Sequence, residues 1–385
     1  MPKRFRGFPS PVYVTRPLLP SLDKVQAELQ EIWGSKWLTN NGLQHNKLEG
    51  KLTEFLQVPF LSLFNNGTTA LLTACQGLGL TGEVITTPFT FAATPHVLSW
   101  QKLRPVFCDI DSETLNINPA MIEALITPET SAIMPVHVFG MPCDVKTIQA
   151  IADYYNLKVI YDAAHAFGVR IDGVGIGNFG DASMFSFHAT KLFHTVEGGA
   201  LTCPKESLKV QLDLLKNFGI QSEDEVLFPG INGKMNEIQA AVGLLVLELL
   251  AEAWAKRSGL IQAYRECLND MEGITYCKPA ENVEYNHQYF VIRINEQRFG
   301  CSRDHVYQQL KEYNVFARKY FYPLCSNYSC YSALPSASPD RLPVAGQVAD
   351  EVLSLPLHGE LAREDIVIIC DIIRSQSRAK LIINA

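Results

Sequence analysis

The sequence lacks the features that would mark several broad classes of protein. Its 385 residues carry a formal net charge of −7 without any long run of like charge, so neither nucleic acid nor an anionic membrane is predicted as a partner. The ten cysteines are scattered and form no Cys-x-x-Cys pair, which argues against a zinc site or a disulfide framework. We expect free thiols in a reducing compartment.

Long hydrophobic runs are also missing. No window of the sequence approaches the run of about 18 apolar residues that a membrane-spanning helix needs. Residues 1–13 contain Lys3, Arg4 and Arg6, but no apolar core of signal-peptide length follows them. We therefore predict a cytoplasmic protein.

The composition that remains is that of an ordinary globular protein. Hydrophobic residues make up 47% of the chain and charged residues 19%. The length is too great for a single small domain. We predict a large domain over residues 1–245 and a smaller C-terminal α/β domain over residues 246–385.

Short apolar runs alternate with segments of helical periodicity between residues 61 and 203. This alternation predicts an α/β fold with a mostly parallel central sheet, helices on both faces, and ligands at the carboxyl ends of the strands. The predicted strands are 83–86, 105–108, 132–136, 158–161 and 182–186, and the predicted helices are 68–80, 121–126 and 145–155. Further along we predict a helix over 237–255, a surface loop over 326–343, a strand over 289–293, and helices over 305–313 and 363–380.

Polar residues stand where such a sheet would bind a ligand. Gly67 and Thr68 precede a helix, whose unpaired N–H groups and dipole favour a phosphate, and Ser186 ends a strand nearby. Asp162 ends another apolar strand, where a buried carboxylate needs a cation. Lys191 follows as a lone amine. An amine, a carboxylate for the pyridine nitrogen and a phosphate cradle are what pyridoxal 5'-phosphate (PLP) requires, so the sequence predicts PLP bound as a Schiff base to Lys191.

Each of these residues also has a plainer interpretation. Thr68 could be a simple helix N-cap, Asp162 a capping or ion-paired carboxylate, and Lys191 a surface lysine. His165 could donate to the phenolic oxygen of the cofactor or could be a structural histidine. A metal is not predicted at His188 and His194, because no carboxylate or thiolate stands at ligand spacing from them.

Several motifs taken together resemble one enzyme family. The segments that carry the likeness are 14–17, 37–42, 66–71, 84–91, 161–165, 186–191, 197–199 and 232–241. In this combination the chain resembles the DegT/DnrJ/EryC1/StrS family of nucleotide-sugar aminotransferases over nearly its whole length. The resemblance implies the fold type I (aspartate aminotransferase-like) architecture and a homodimer with active sites at the subunit interface.

The resemblance also implies roles for individual residues. Lys191 would hold the cofactor covalently, Asp162 would contact the pyridine nitrogen, and His165 would contact the phenolic oxygen, where many members have glutamine. Phe91, which would otherwise be taken as a core residue, would stack on the ring face. The phosphate would be held by Gly67, Thr68 and Ser186, together with Asn232 of the other subunit.

The likeness extends to the substrate. The run 318–323 resembles members that aminate C4 of a dTDP-4-keto-6-deoxyhexose, so Arg318, Tyr320 and Tyr322 are predicted to contact the nucleotide sugar. Two departures are Lys234, where many relatives have arginine, and Cys325, where many have a histidine associated with the sugar end. The implied reaction transfers the amino group of L-glutamate, in a ping-pong cycle, to give dTDP-4-amino-4,6-dideoxy-D-glucose for deoxyamino-sugar biosynthesis such as that of the lipopolysaccharide O-antigen.

Two alternatives stay open from the sequence. Amination at C3, or of another nucleotide sugar, is not separated from amination at C4. A PLP-binding sensor without turnover is the alternative from another class, although no helix-turn-helix or basic face accompanies the fold.

Overall fold

The computed structural model describes residues 7–377. Residues 1–6, which include the basic residues near the N-terminus, and residues 378–385, which include the end of the predicted 363–380 helix, lie outside the described part. The described residues form 15 strands and 11 α-helices. The strands are β1 Val12–Tyr13, β2 Phe60–Phe64, β3 Glu83–Thr86, β4 Arg104–Phe107, β5 Thr130–Met134, β6 Lys158–Asp162, β7 Arg170–Ile171, β8 Val174–Gly175, β9 Ala182–Ser186, β10 Gly199–Cys203, β11 Ile274–Tyr276, β12 Val283–Glu284, β13 Phe290–Ile294, β14 Val315–Phe316 and β15 Val352–Leu355. The helices are α1 Leu22–Ser35, α2 Leu43–Leu56, α3 Gly67–Gly77, α4 Ala93–Trp100, α5 Val145–Tyr155, α6 Glu206–Leu215, α7 Glu237–Leu268, α8 Glu296–Phe299, α9 Arg303–Glu312, α10 Pro343–Glu351 and α11 Arg363–Arg374.

The central sheet has seven strands in the order β2-β10-β9-β6-β5-β3-β4. The pairs from β9 to β4 are all parallel, and β10 runs antiparallel to both β2 and β9. Its strands are short and apolar because helices cover both faces, so that Val84, Ile85, Val159 and Ile160 are fully buried. The prediction of a mostly parallel sheet is confirmed, but β2 and the antiparallel β10 were not among the predicted strands.

Two of the predicted segments differ in the structure. Residues 121–126 do not form an α-helix; 3₁₀ turns at Pro119–Met121 and Glu123–Leu125 replace it, and each is too short to establish the α-helical hydrogen-bond pattern. The 326–343 segment is not wholly a surface loop, because Tyr331, Ala337 and Leu342 are buried. The apolar residues of this segment are scattered among serines and prolines without helical or strand periodicity, so the sequence pattern did not predict their burial.

Helix α7 is the longest element and continues well past the predicted end at residue 255. It opens with a capping box in which Asn236 and Gln239 bond each other's backbone N–H groups. By length and composition alone it could cross a membrane, because one window of the helix has a mean hydropathy of 1.6. The prediction that no window approaches a membrane span was therefore wrong for this helix. Half of that window is buried within the protein, where α7 packs on α1, α2 and α11, and this packing accounts for its apolar character.

The C-terminal part has a core of its own. Strands β11, β13 and β15 form a three-stranded antiparallel sheet, and α9, α11 and the second half of α7 cover it. The N-terminal strand β1 pairs in parallel with β14, so the start of the described chain lies on this C-terminal part. The predicted boundary between residues 245 and 246 falls inside α7 and stays a prediction.

The topology brings several strand ends to one edge of the central sheet. Asp162 ends β6 and Ser186 ends β9, which are parallel neighbours. Gly199 of β10 is paired with Ser186 on one side and with Phe64, the end of β2, on the other. The polar residues that follow these strands therefore gather at one place.

Candidate active site

Lys191 lies in a turn that follows β9. Its backbone N–H donates to the carbonyl of His188 at 2.8 Å, and its Nζ lies 5.8 Å from the centre of the Tyr289 ring. Burial lowers the pKa of the Lys191 amine to about 8, while the nearby Asp162 carboxylate opposes that shift. The amine therefore loses its proton more readily than that of an exposed lysine, which favours its use as a nucleophile.

Asp162 is buried and held by its own chain. The Thr94 hydroxyl donates to Oδ2 at 2.7 Å, and the Ala164 N–H donates to Oδ1 at 3.0 Å. Burial raises the pKa of the carboxyl, and the bonds from Thr94 and Ala164 and the charge of Lys191 oppose the rise. An ionised carboxylate at this depth gains most from a cation placed directly against it.

His165 is fixed in one tautomer by its surroundings. Its Nδ1 accepts the backbone N–H of Phe139 at 3.2 Å, so the proton of the neutral ring belongs on Nε2. The ring is parallel to those of Phe139 and Phe321 and meets Tyr289 edge-on at 5.0 Å. Burial and then the Lys191 charge hold the pKa of His165 well below its ordinary value, so the side chain is a neutral donor through Nε2.

Gly67, Thr68 and Ser186 form a small cradle at the start of α3. The Asn66 side chain caps this helix by accepting the N–H of Thr69 at 2.8 Å, and the N–H groups of the first turn have no partner within the helix. A Cβ on Gly67 would lie 2.9 Å from Met184 Sδ and 3.3 Å from Ser186 Cβ. Glycine is therefore needed for the start of α3 to come this close to β9. The unpaired N–H groups at this helix terminus suit an anion.

Phe91 and Asn232, two further predicted cofactor contacts, are both exposed. The Phe91 side chain is 64% exposed just before α4. Asn232 is exposed, and its carbonyl accepts a long bond of 3.4 Å from the Asn65 side chain. The neighbouring Gly233 carbonyl accepts the N–H of Asn65 at 2.8 Å, which attaches the 232–233 segment to the residue that follows β2.

The predicted substrate residues Arg318, Tyr320 and Tyr322 have different neighbours. Tyr320 is half-buried and meets Tyr289 edge-on at 5.9 Å, at the rim of the site. Tyr322 instead packs under the Arg303 guanidinium, 5.0 Å away, in the C-terminal part. The Arg318 backbone pairs with Ser354 and its side chain is exposed.

Cys325 faces the protein rather than an open pocket. Its side chain is fully buried, its N–H donates to the carbonyl of Pro88 at 3.0 Å, and its thiol donates to the carbonyl of Thr90 at 3.2 Å. Cys325 therefore supports the backbone of the loop that leads to Phe91.

No role was predicted for Thr94, Phe139 or Tyr289, although all three contact residues of the site. Thr94 also bonds Thr90 at 2.9 Å, and this polar pair at helical spacing within an apolar segment was the signal available for it. Phe139 and Tyr289 come from distant parts of the chain, and no local pattern points to them.

The two histidines near Lys191 have other partners. His188 Nδ1 bonds the Thr190 hydroxyl at 2.8 Å, and His194 Nε2 bonds the carbonyl of Leu18 at 3.0 Å. Within residues 7–377, no group of three or more potential metal-ligand side chains is assembled.

The arrangement fits PLP at each of its polar ends. The buried Asp162 carboxylate suits a protonated pyridine nitrogen, His165 Nε2–H suits a phenolic oxygen, and the cradle at Gly67 suits a phosphate. Lys191 supplies an amine whose pKa is lowered to about 8.

Comparison with known proteins agrees with this fit. Residues 22–374 match the DegT/DnrJ/EryC1/StrS aminotransferase family. The chain is 49% identical over 357 residues to a dTDP-4-amino-4,6-dideoxy-D-glucose transaminase from Escherichia coli, a match that covers 92% of this chain and 95% of the relative. It is 48% identical to the enzyme of that name from Shigella dysenteriae, over 94% of this chain and 98% of the relative. Among solved structures, DesI in the presence of its TDP-sugar product superposes with a TM-score of 0.93 at 36% identity, covering 99% of this chain and 96% of that one.

Proposed function

The chain belongs to the DegT/DnrJ/EryC1/StrS aminotransferase family, and from that premise we propose that it transfers an amino group from L-glutamate to a dTDP-4-keto-6-deoxyhexose. The product is dTDP-4-amino-4,6-dideoxy-D-glucose. Identity near one half over more than nine-tenths of both chains is the observation that carries this assignment, because it joins the amino sugar in the names of the relatives to a site that fits the chemistry.

PLP is the cofactor, and when bound it supplies an electron sink and a carrier for the amino group. Lys191 would hold it and move the proton on the substrate carbon, a role that suits an amine whose pKa burial lowers to about 8. Asp162 keeps the pyridine nitrogen protonated, and His165 donates through Nε2 to the phenolic oxygen. Gly67, Thr68 and Ser186 bind the phosphate, and Phe91 covers the ring.

In the overall reaction, glutamate loses its amino group and becomes 2-oxoglutarate, while the keto carbon of the sugar becomes an amine. Tyr320 and Arg318 contact the nucleotide sugar; the contact of the Tyr320 ring with Tyr289 and the exposure of Arg318 support this role. Tyr322 is directed toward Arg303, so its contribution is to support this run. Such a product serves deoxyamino-sugar biosynthesis, including that of the O-antigen, and the buried free thiols suit a cytoplasmic enzyme.

Product analysis tests the assignment and separates C4 from C3 amination. Purified protein with PLP would be incubated with L-glutamate and either a dTDP-4-keto or a dTDP-3-keto deoxyhexose, and the product examined by NMR. We expect an amine at C4 and one 2-oxoglutarate for each sugar converted. Turnover of the 3-keto sugar alone would replace the assignment by C3 amination.

A homodimer with shared sites completes the proposal. Large apolar side chains are exposed on two stretches, which include Trp33 and Leu43 at α1 and α2 and Val226 on the segment before Asn232. Exposed apolar surface of this kind favours association. In a dimer, Asn232 of one subunit would reach the phosphate bound by the other.

Subunit mixing tests this arrangement. Asn232→Asp places a carboxylate against the phosphate, and Lys191→Ala removes the amine, so each variant alone is expected to be nearly inactive. A heterodimer of the two contains one site with Lys191 from one subunit and Asn232 from the other. We expect co-expression to restore activity; activity no greater than that of the separate variants would mean that the two residues act within one chain.

A further inference from the structure

The segment 286–289, just before β13, lies against two loops of the cofactor site. One is the lysine loop, residues 190–192, and the other is the histidine loop, residues 165–167. Asn286 and Gln288 are both buried, with 2% and 3% of their surface exposed. Because a buried carboxamide must find partners for its donors and acceptor, the bonds of these two side chains reveal what they hold.

Gln288 brackets Lys191. Its Oε1 accepts the N–H of Leu192 at 2.8 Å, and its Nε2 donates to the carbonyl of Thr190 at 3.4 Å. One side chain thus bonds the backbone on both sides of the lysine that holds the cofactor. Rotation of this turn would break both bonds and leave a buried amide without partners.

Asn286 holds the histidine loop in a similar way. Its Nδ2 donates to the carbonyls of His165 at 2.8 Å and Phe167 at 3.0 Å. Its Oδ1 accepts the N–H of Gln288 at 3.1 Å, which closes a turn in which His287 has a φ of 55°. The two carboxamides are therefore linked to each other as well as to the two loops.

The segment is anchored from behind by Arg257 of α7. This side chain is 3% exposed and donates to the carbonyls of His287 at 3.4 Å and Gln288 at 3.2 Å. Burial lowers the pKa of Arg257 to about 10, because removing the guanidinium from water disfavours its charged form. The desolvated side chain nevertheless holds this backbone through its two bonds. Because burying a cation is unfavourable, this contact indicates that segment 286–289 has to stay in a fixed position.

We propose that Gln288 is a positioning residue for the reaction, fixing the lysine loop so that the Lys191 amine stays directed at the cofactor and shielded from water, with Asn286 fixing the histidine loop from the same turn. The proposal rests on the proposed function only in that Lys191 holds PLP. Gln288 does not itself touch the reacting atoms.

The test compares Gln288→Met with a matched control, Gln101→Met, in the PLP-loaded full chain. Gln101 is half-buried and its Nε2 donates to the carbonyl of Leu72 at 3.3 Å, so this side chain bonds α3 rather than the lysine loop or the histidine loop. Two properties are measured: the pH midpoint of the near-visible absorbance of bound PLP, and the rate of cofactor loss after dilution.

We expect Gln288→Met to raise the midpoint by about half a pH unit or more, because water that reaches the nitrogen of Lys191 favours its protonated form. Cofactor loss should be about fivefold faster, as for the loss of one hydrogen bond. Gln101→Met should leave both properties at the wild-type values, even if it lowers the melting temperature.

A wild-type midpoint and a wild-type rate in folded Gln288→Met would overturn the proposal and leave Gln288 a structural residue. If the methionine variant is insoluble, Gln288→Asn, which is too short to bond both sides of Lys191, carries the same expectations and the same contrary result. Wild-type protein that shows no near-visible band with added PLP would instead overturn the proposed function.

Discussion

The inner and outer sides of the active site are built in different ways. The inner side consists of Asp162, His165 and Lys191, which hydrogen bonds and ring contacts of the same chain hold in place. The outer side consists of Thr68, Phe91 and Asn232, all of them exposed. The difference indicates that one chain pre-organises the chemistry, whereas the binding surface stays open to cofactor and substrate and, in the proposed dimer, to a second subunit.

Removing the amine should break the inner side most completely. Lys191→Ala is expected to lower turnover by roughly 10²–10⁴-fold or more, since proton transfer and cofactor attachment are lost together. Lys24→Ala, which removes only an exposed ion pair with Glu248, is the control and should behave as wild type. Measured steady-state rates with the keto sugar decide; appreciable activity in Lys191→Ala would contradict the assignment.

Neutralising Asp162 should separate activity from stability. Asp162→Asn is expected to lower kcat by roughly 10²–10³-fold, because an amide cannot hold the pyridine nitrogen protonated. The raised pKa of Asp162 means that the folded protein binds this proton more tightly than the unfolded chain, so the ionised carboxylate lowers stability as pH rises above about 4.

Cofactor-free Asp162→Asn should therefore melt at a higher temperature than cofactor-free wild type near pH 7, and the gap should shrink toward pH 4. Thermal unfolding of the two proteins across this pH range is the measurement. Equal melting temperatures at pH 7 would mean that the ionised Asp162 carboxylate does not destabilise the cofactor-free protein.

A change on the outer side should act on binding rather than on chemistry. Thr68→Ala removes one hydroxyl beside the phosphate cradle, and we expect the Kd for PLP to rise about fivefold, with kcat nearly unchanged at saturating cofactor. Titration of the near-visible absorbance gives the Kd. A fall in kcat without a change in Kd would erase the contrast between the two sides.

The smallest effect is expected for His165→Gln. The amide of glutamine can donate to the same phenolic oxygen, and His165 is neutral because burial holds its pKa well below the ordinary value. We expect kcat within a few-fold of wild type, while His165→Ala should lose roughly tenfold or more. If glutamine were as damaging as alanine, the imidazole would have a role beyond donation.

The same contrast separates what the sequence could predict from what it could not. The mostly parallel sheet and the strand ends at Asp162 and Ser186 follow from short apolar runs, which are local patterns. Strand β10 was not predicted. Its antiparallel direction follows from its pairing with β2 and β9, which no local pattern encodes. Tyr289 and Gln288 reach the site from the C-terminal part of the chain, and no spacing in the sequence encodes that approach.

The surroundings of the tyrosines in the 318–323 run and of Cys325 could be seen only in the three-dimensional structure. Tyr320 and Tyr322 belong to one run, yet the Tyr320 ring meets Tyr289 edge-on, while the Tyr322 ring packs on Arg303. Cys325 stands where many relatives have histidine, and its burial against Thr90 shows a supporting contact that composition could not reveal. In both cases the direction of the side chain depends on residues distant in the sequence, so the local pattern could not predict it.

The most direct test of the account is the absorbance spectrum of the purified, PLP-loaded protein before and after L-glutamate is added without any sugar. We predict a near-visible band that falls on addition of glutamate, with 2-oxoglutarate released in an amount equal to the enzyme sites. A band that glutamate leaves unchanged, or no band at all after addition of PLP, would contradict the claim that this buried inner side is built for transamination.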